Sequence, residues 1–110
     1  MTPNVVADRR IAPRFAMVLA AEIVELPSGA KFNARSSDVS RTGCYIDMLN
    51  PIPSGSKVRI RLTHGHEVFN AIAKIVYVSP GLGMGLQFED AVSADQLAML
   101  DRWFSEEPSL

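Results

Sequence analysis

The stretch from Lys57 to Thr63 constrains the fold more than any other part of this 110-residue chain. Val58, Ile60 and Leu62 occupy alternate positions, and every residue between them is polar or charged. Because successive side chains of a strand point to opposite faces, this alternation predicts a half-buried β-strand. The chain must therefore build a sheet with one apolar face and one solvated face.

Other segments between turn signals are also rich in β-branched and aliphatic residues, and we expect them to be strands as well. The expected strands are 17–26, 31–39, 44–49, 57–63, 67–78 and 83–88. The segment 67–78 is long and apolar on both sides, so it should carry a bulge or bend. Gly43 should lie in a turn with a positive φ, because glycine adopts that conformation without strain.

A helix is predicted near the end of the chain. Ser93 and Gln96 have the spacing of a capping box, in which the two side chains satisfy each other's backbone amides. An apolar stripe follows at three- and four-residue steps, formed by Leu97, Leu100, Trp103 and Phe104. Many short strands followed by one helix predict an antiparallel barrel or curled sheet whose opening the helix covers.

The composition restricts the function classes. A length of 110 residues fits one domain, and a net charge of -1 gives no global positive field to recruit a nucleic acid polymer. The single cysteine, Cys44, cannot form an internal disulfide and should be a small buried residue, as expected in a reducing cytoplasm. No apolar run is long enough for membrane insertion and no secretory signal opens the chain, so we expect a cytoplasmic protein.

Two clusters of polar residues suggest an anion pocket. Arg10 and Arg14 flank Pro13, which favours an extended arm, and Asp38, Ser40 and Gly43 follow in the strand-rich body. Guanidinium groups can grip phosphate oxygens or the edge of guanine, and a carboxylate can accept from guanine N–H groups. Taken alone, the two arginines fit a solvated tail better than a site, whereas a simple turn is the weaker interpretation of Asp38 and Ser40.

The R-x-x-x-R pattern from Arg10 to Arg14, followed by D-x-S-x-x-G from Asp38 to Gly43, resembles the PilZ domain family, whose members bind the bacterial second messenger cyclic di-GMP. The segment Gly83–Phe88 also looks like the family's final strand. The resemblance implies a mainly β fold, a small antiparallel six-stranded PilZ-type β-barrel with a C-terminal α-helix. The expected organisation is a flexible tail at 1–8 and a PilZ domain at 9–106, with an arginine arm at 9–14, a barrel at 16–89 and a helix at 93–105.

The resemblance also implies a ligand site and a role. The residues expected to bind cyclic di-GMP are Arg9, Arg10, Arg14, Asp38, Ser40, Arg41 and Gly43. A basic residue before the first motif arginine, here Arg9, goes with two stacked ligand molecules in the family. The expected function is a receptor that passes the signal to an unidentified effector protein when the ligand orders the arginine arm, as a monomer or weak homodimer.

Two other functions are compatible with the sequence. The chain could be a PilZ-fold adaptor that binds no cyclic di-GMP, or an oligonucleotide-binding barrel, although 7% aromatic residues and the negative net charge disfavour the latter.

His64 and His66 form a poor zinc motif, and the stripe Lys57, Arg59 and Arg61 is either a second anion surface or the wet face of a strand. No enzyme motif appears, so we expect neither catalytic residues nor a metal, and no cofactor apart from the ligand.

Overall fold

The computed structural model describes residues 12–90 and 92–107. The described residues form seven strands and one helix. They are β1 (Phe15–Ala16), β2 (Ala20–Leu26), β3 (Lys31–Val39), β4 (Gly43–Asp47), β5 (Lys57–His64), β6 (Glu67–Ser79), β7 (Gly83–Phe88) and α1 (Ala94–Phe104). The expected tail at 1–8 and the arm residues Arg9 and Arg10 lie outside the described part.

Strands β2 to β7 form a closed antiparallel barrel, as the sequence predicted. They pair in the order β3, β2, β5, β6, β7, β4, and β4 pairs with β3 to close the ring. The short β1 extends the sheet along the end of β3, where Phe15 is opposite Val39. A closed barrel leaves few free strand edges, which protects the chain from pairing with other chains.

The expected strand at 17–26 is wrong at its beginning, because Ser36 interrupts it. The fully buried Ser36 hydroxyl donates to the carbonyl of Met17 (2.7 Å) and accepts from the amide of Leu19 (3.0 Å). Between the end of β1 and the start of β2, a side chain of β3 therefore replaces part of the backbone pairing with β3. Val18, between these two residues, remains 70% exposed.

The alternation in β5 sets the inside and outside of the barrel. Val58, Ile60 and Leu62 are completely buried, and the residues Lys57, Arg59, Arg61 and Thr63 are exposed. The predicted irregularity in the long sixth strand is also present. The register of β6 against β7 shifts between Ile75 and Tyr77, so that Val76 and Tyr77 are both exposed at adjacent positions.

Helix α1 begins as predicted, but the capping box is only half formed. The side chain of Ser93 accepts from the amide of Gln96 at 3.2 Å. The Gln96 side chain does not complete the box, because its Oε1 accepts from the amide of Asn70 in β6 at 2.6 Å. The glutamine thus ties the start of the helix to the barrel instead of satisfying the helix's own cap.

The apolar stripe of α1 covers one opening of the barrel. Leu100, Trp103 and Phe104 are buried, together with Met99. The ring of Phe104 stacks on Phe15 with centroids 4.4 Å apart. Trp103 is 2% exposed, which confirms its expected core role and leaves no exposed ring to serve as a partner surface.

Side chains of β5 and β6 also contact Trp103. Its Nε1 donates to Glu67 Oε1 at 2.8 Å, so the buried indole N–H is satisfied. Glu67 also pairs with Arg102. His64 belongs to β5 and stacks on the indole (centroids 4.9 Å apart), so only Gly65 and His66 form the turn that follows.

Candidate ligand-binding site

A cavity of about 320 Å³ opens on the outer wall of the barrel, where β4, β7 and the bulged part of β6 meet. It brings together Arg14, Asp38, Ser40 and Gly43, which are four of the seven expected ligand residues. The other lining residues are Thr42, Cys44, Tyr45, Val76, Tyr77, Gly85, Leu86 and Gln87. Residues from both sequence motifs therefore share one concave surface.

Arg14 and Asp38 form a two-point ion pair at the rim of this cavity. Arg14 Nε donates to Asp38 Oδ1 at 3.1 Å, and a terminal nitrogen donates to Oδ2 at 2.6 Å. The register of β1 on β3 explains the contact, because Ala16 is opposite Asp38 and Arg14 precedes this pair by two residues. The Asp38 side chain is only 13% exposed, whereas that of Arg14 is 55% exposed.

The pair affects the electrostatics of the arginine. Its hydrogen bond to Asp38 raises the pKa of Arg14 above the usual value, and partial burial opposes this change. The guanidinium is therefore always charged, and the N–H groups that do not face Asp38 remain available to an incoming anion. A phosphate or the acceptor edge of a guanine fits such a group.

Ser40 shapes the turn between β3 and β4. It is 5% exposed, and its hydroxyl accepts from the amides of Thr42 (3.1 Å) and Gly43 (3.2 Å). The same hydroxyl lies 3.2 Å from Thr42 Oγ1. The serine thus fixes the floor of the cavity, as side chains of this type do in short turns.

Gly43 is required for a different reason than expected. The prediction of a positive φ is wrong, since the glycines with positive φ among the described residues are Gly29, Gly55, Gly65 and Gly81. A Cβ at Gly43 would instead overlap the carbonyl oxygen of Leu86 on the neighbouring strand. The glycine thus permits a close approach of β4 to β7 directly under the cavity.

Two tyrosines that the sequence did not predict as site residues also line the cavity. The rings of Tyr45 and Tyr77 lie with centroids 6.1 Å apart, and Tyr77 remains 47% exposed. The Tyr77 ring lies over Gly85, where any Cβ would overlap it. The expected bulge in β6 was the available signal, because it turns two adjacent side chains toward the same outer surface.

Cys44 lines the cavity as a buried free thiol. It is 6% exposed, and burial, followed by the charge of Asp38, raises its pKa far above the usual range of a thiol. A neutral buried thiol reacts slowly, because the thiolate is the reactive form. The expectation of a small buried residue is confirmed.

Of the three remaining expected ligand residues, the structure describes Arg41, which does not line the cavity. Arg41 lies within the turn that Ser40 shapes between β3 and β4, and its Nε pairs with Asp101 Oδ1 of α1 at 3.1 Å. Arg9 and Arg10 lie outside the described residues. Arg41 therefore ties the motif turn to the helix in this structure.

Within residues 12–90 and 92–107, no cluster of three or more His, Cys, Asp or Glu side chains could hold a metal ion. In the same part of the chain, no helix has the length and apolarity that crossing a membrane would require.

Comparisons with known proteins agree with the barrel fold. The sequence model of the PilZ domain family matches residues 8–106 of this chain. A search among proteins of curated function found no match to the chain.

Solved structures share the fold at low sequence identity. The PilZ domain of YcgR from Escherichia coli, with c-di-GMP, has a TM-score of 0.73 and 18% identity, and the match covers 89% of this chain and 90% of that one. The PilZ domain of CeSA from a cellulose-synthesising bacterium gives 0.66 and 19%, covering 84% and 95%. The Bacillus subtilis inhibitor of motility MotI/DgrA gives 0.73 and 17%, with 89% of this chain matching 50% of that protein.

These structural likenesses show the fold, and the family model matches the sequence itself over nearly the whole chain. The chain belongs to the PilZ domain family.

Proposed function

We propose that this protein is a receptor for cyclic di-GMP. The observation that carries the proposal is the wall cavity, which gathers Arg14, Asp38, Ser40 and Gly43 from two distant parts of the chain. A PilZ domain of the same fold, that of Escherichia coli YcgR, has been solved with c-di-GMP.

The chemistry of the lining matches the parts of this ligand. The exposed side of Arg14 suits a phosphate or the O6 and N7 atoms of guanine. The Asp38 carboxylate can accept from N1–H and the exocyclic amine of the same base. The half-exposed ring of Tyr77 offers a flat surface on which a purine can stack.

The arginine arm supplies what the cavity lacks. A volume of about 320 Å³ lies near the lower limit of ligand pockets, which begin at about 300 Å³, so a cyclic dinucleotide would protrude from it. We propose that Arg9 and Arg10 cover the protruding part, since they precede Arg14 at the cavity rim. Phe15, stacked on Phe104, fixes the end of the arm, so binding would order residues 9–14 from that end.

Arg9 is proposed to set the stoichiometry. Two stacked ligand molecules carry four phosphate charges, and a third guanidinium on the arm would offset part of their repulsion. We therefore propose two bound molecules, read by an effector protein in the cytoplasm. Arg41 would join this cation cluster only by leaving Asp101, its ion-pair partner.

One observation favours the alternative, a PilZ-fold adaptor that does not bind the ligand. Arg14 and Asp38 satisfy each other in the structure, so the site is partly closed by its own residues. A ligand must compete with this pair for both groups. The adaptor would keep the pair and bind its partner without any nucleotide.

Isothermal titration calorimetry with cyclic di-GMP, and with GTP as a control ligand, separates the two functions. Arg14→Ala should weaken binding by roughly tenfold or more, since charge-assisted hydrogen bonds contribute about 1.5–3 kcal/mol. The matched control is Arg59→Ala, an exposed arginine outside the cavity, which should bind like the wild type. No binding heat from a folded wild-type protein would establish the adaptor instead.

The same titration tests the stoichiometry. The wild type should bind about two molecules per chain at saturation, and Arg9→Leu about one. A wild-type ratio near one would remove the proposed role of Arg9 and leave the site itself in place.

A further inference from the structure

The outer face of the barrel formed by β3, β2, β5 and β6 carries an unusual excess of positive charge. We define the basic face as the five exposed cations Lys31, Lys57, Arg59, Arg61 and Lys74. Only two carboxylates, Glu22 and Glu89, approach these cations within ion-pair distance among the described residues. The whole chain has a net charge of -1, so positive charge is concentrated here.

The register of the strands brings two of these cations directly together. Lys57 in β5 is the Cα partner of Lys74 in β6. Like charges at opposite positions of neighbouring strands destabilise a sheet. Lys57 is compensated by Glu89, whose carboxylate lies 2.8 Å from its amine, but Lys74 has no ion-pair partner among the described residues. The fold alone gains nothing from this arrangement.

Arg59 is the second uncompensated cation of the basic face within the described part of the chain. It projects from the same strand and to the same side as Arg61, and a two-residue step in a strand spaces the two by about 7 Å. Arg61 is held only loosely, with 4.0 Å between its Nη1 and Glu22 Oε1. Carboxylates one turn apart on a helix, with Cβ atoms about 6 Å apart, match this spacing.

The remaining residues of the face favour a protein over a nucleic acid or a membrane. Glu22 is on β2, which lies between β3 and β5, and its Oε2 is 3.6 Å from the amine of Lys31. A row of phosphates crossing the face would meet this carboxylate and be repelled by it. Half-buried apolar side chains, Val24 and Ile72, flank Arg59 on both sides. Charged groups around small apolar contacts are typical of protein interfaces.

We propose that the basic face is a docking surface for an acidic protein segment, best suited to a helix with carboxylates one turn apart. This surface goes beyond the proposed function, because its charge and register do not depend on any nucleotide. Its centre also lies apart from the wall cavity, since no residue of β2 or β5 lines that cavity. Lys74, whose Cα partner Gln87 lines the cavity, marks the edge between the two surfaces. A receptor could therefore hold a partner and a ligand at the same time.

An NMR titration of the ¹⁵N-labelled full chain tests the proposal without a known partner. The probe is an alanine-rich helical peptide with Glu at every fourth position, and the control peptide has Gln in place of Glu. The Glu peptide should shift the amide signals of β2, β5 and β6, and the shifts should weaken as salt rises from about 0.05 M to about 0.3 M. The Gln peptide should cause none of these shifts.

A pair of double variants with equal net charge separates the surface from overall charge. Arg59→Gln with Lys74→Gln removes the two uncompensated cations and should weaken the peptide about tenfold. Asn50→Asp with Leu82→Asp changes the net charge equally at exposed turns beside β4 and β7, and should bind as the wild type does. Equal weakening in both variants, or shifts confined to other strands, would overturn the proposal.

The same titration with a single-stranded oligonucleotide and with phosphatidylglycerol vesicles tests the other occupants. Both should bind the basic face more weakly than the Glu peptide at equal charge. Tighter binding of either one would replace the acidic protein as the occupant. Because cyclic di-GMP is absent from these samples, the result is independent of the calorimetric test of the cavity.

Discussion

The helix-covered opening and the wall cavity differ in the kind of contact that holds each of them. At the opening, Leu100, Trp103 and Phe104 pack several buried apolar surfaces against the barrel. At the cavity, the shape depends on one two-point ion pair, one serine in a turn and the close approach of two strands at Gly43. The opening is therefore a source of stability, whereas the cavity depends on a few polar groups that a ligand could rearrange.

The largest effect should come from the opening. Leu100 is completely buried, so Leu100→Ala should lower the free energy of unfolding by about 2–5 kcal/mol through lost contacts and a residual cavity. Trp103→Ala should have a similar effect and also leave Glu67 without the indole N–H. Denaturant unfolding monitored by circular dichroism measures both losses.

The matched control for this prediction is Leu49→Ala. Leu49 is 74% exposed, so the same change of side chain should cost less than about 0.5 kcal/mol. Similar losses at Leu100 and Leu49 would show that the stripe of α1 does not close the barrel.

The second effect tests whether the cavity rests on backbone approach. In Gly43→Ala the new methyl group would meet the carbonyl of Leu86, so β4 and β7 must separate, at a cost of about 1–3 kcal/mol. In Gly85→Ala the methyl group meets the ring of Tyr77, which is half-exposed and can rotate away. Gly43→Ala should therefore unfold at a clearly lower denaturant concentration, and a larger loss for Gly85→Ala would contradict this explanation.

The sequence predicted the elements whose pattern is local. The alternation in Lys57–Thr63 gave β5, and the stripe from Leu97 to Phe104 gave the buried side of α1. The beginning of the first long strand could not be predicted, because it depends on the side chain of Ser36, which lies far along the chain. Local patterns report local structure, and a hydrogen bond over a long sequence separation leaves no such pattern.

The fold brings part of the expected ligand site together, but the geometry of these residues could not be predicted from the sequence. The two motifs indicated Arg14, Asp38, Ser40 and Gly43, and all four line one cavity. The reason for the glycine was misjudged, since close strand approach and a positive φ both favour glycine and look alike in a sequence. Tyr77 was missed because its exposure follows from the register shift in β6, which is fixed by pairing with β7.

The third effect concerns Cys44 under the cavity and appears at high pH. Burial raises the pKa of this thiol above its usual value of 9.0, so the folded protein keeps a proton that the unfolded chain releases. The stability that depends on this proton is complete below about pH 8 and declines above about pH 9, by about 1.4 kcal/mol per pH unit.

Thermal and denaturant unfolding across pH 7–10 checks this effect against Cys44→Ser, whose hydroxyl does not titrate in that range. The variant should show a smaller loss of stability above about pH 9 than the wild type does. Parallel curves for the two proteins would mean that the folded thiol ionises normally.

The smallest effect compares the ion pair of the cavity with one on the plain barrel surface. Arg14 and Asp38 make two hydrogen bonds with a mostly buried carboxylate, whereas Arg35 approaches Asp47 through one contact of 3.4 Å, and that carboxylate is 38% exposed. Two-point geometry and partial burial strengthen an ion pair, so a double-mutant cycle should give a coupling of about 1 kcal/mol for the first pair. The second pair should give only about 0.2 kcal/mol, and added salt should reduce it first, because water and ions reach it more freely. A coupling at Arg14 and Asp38 as small as that of the surface pair would show that the cavity rim is not preformed, and a ligand would then meet little resistance in separating the two residues.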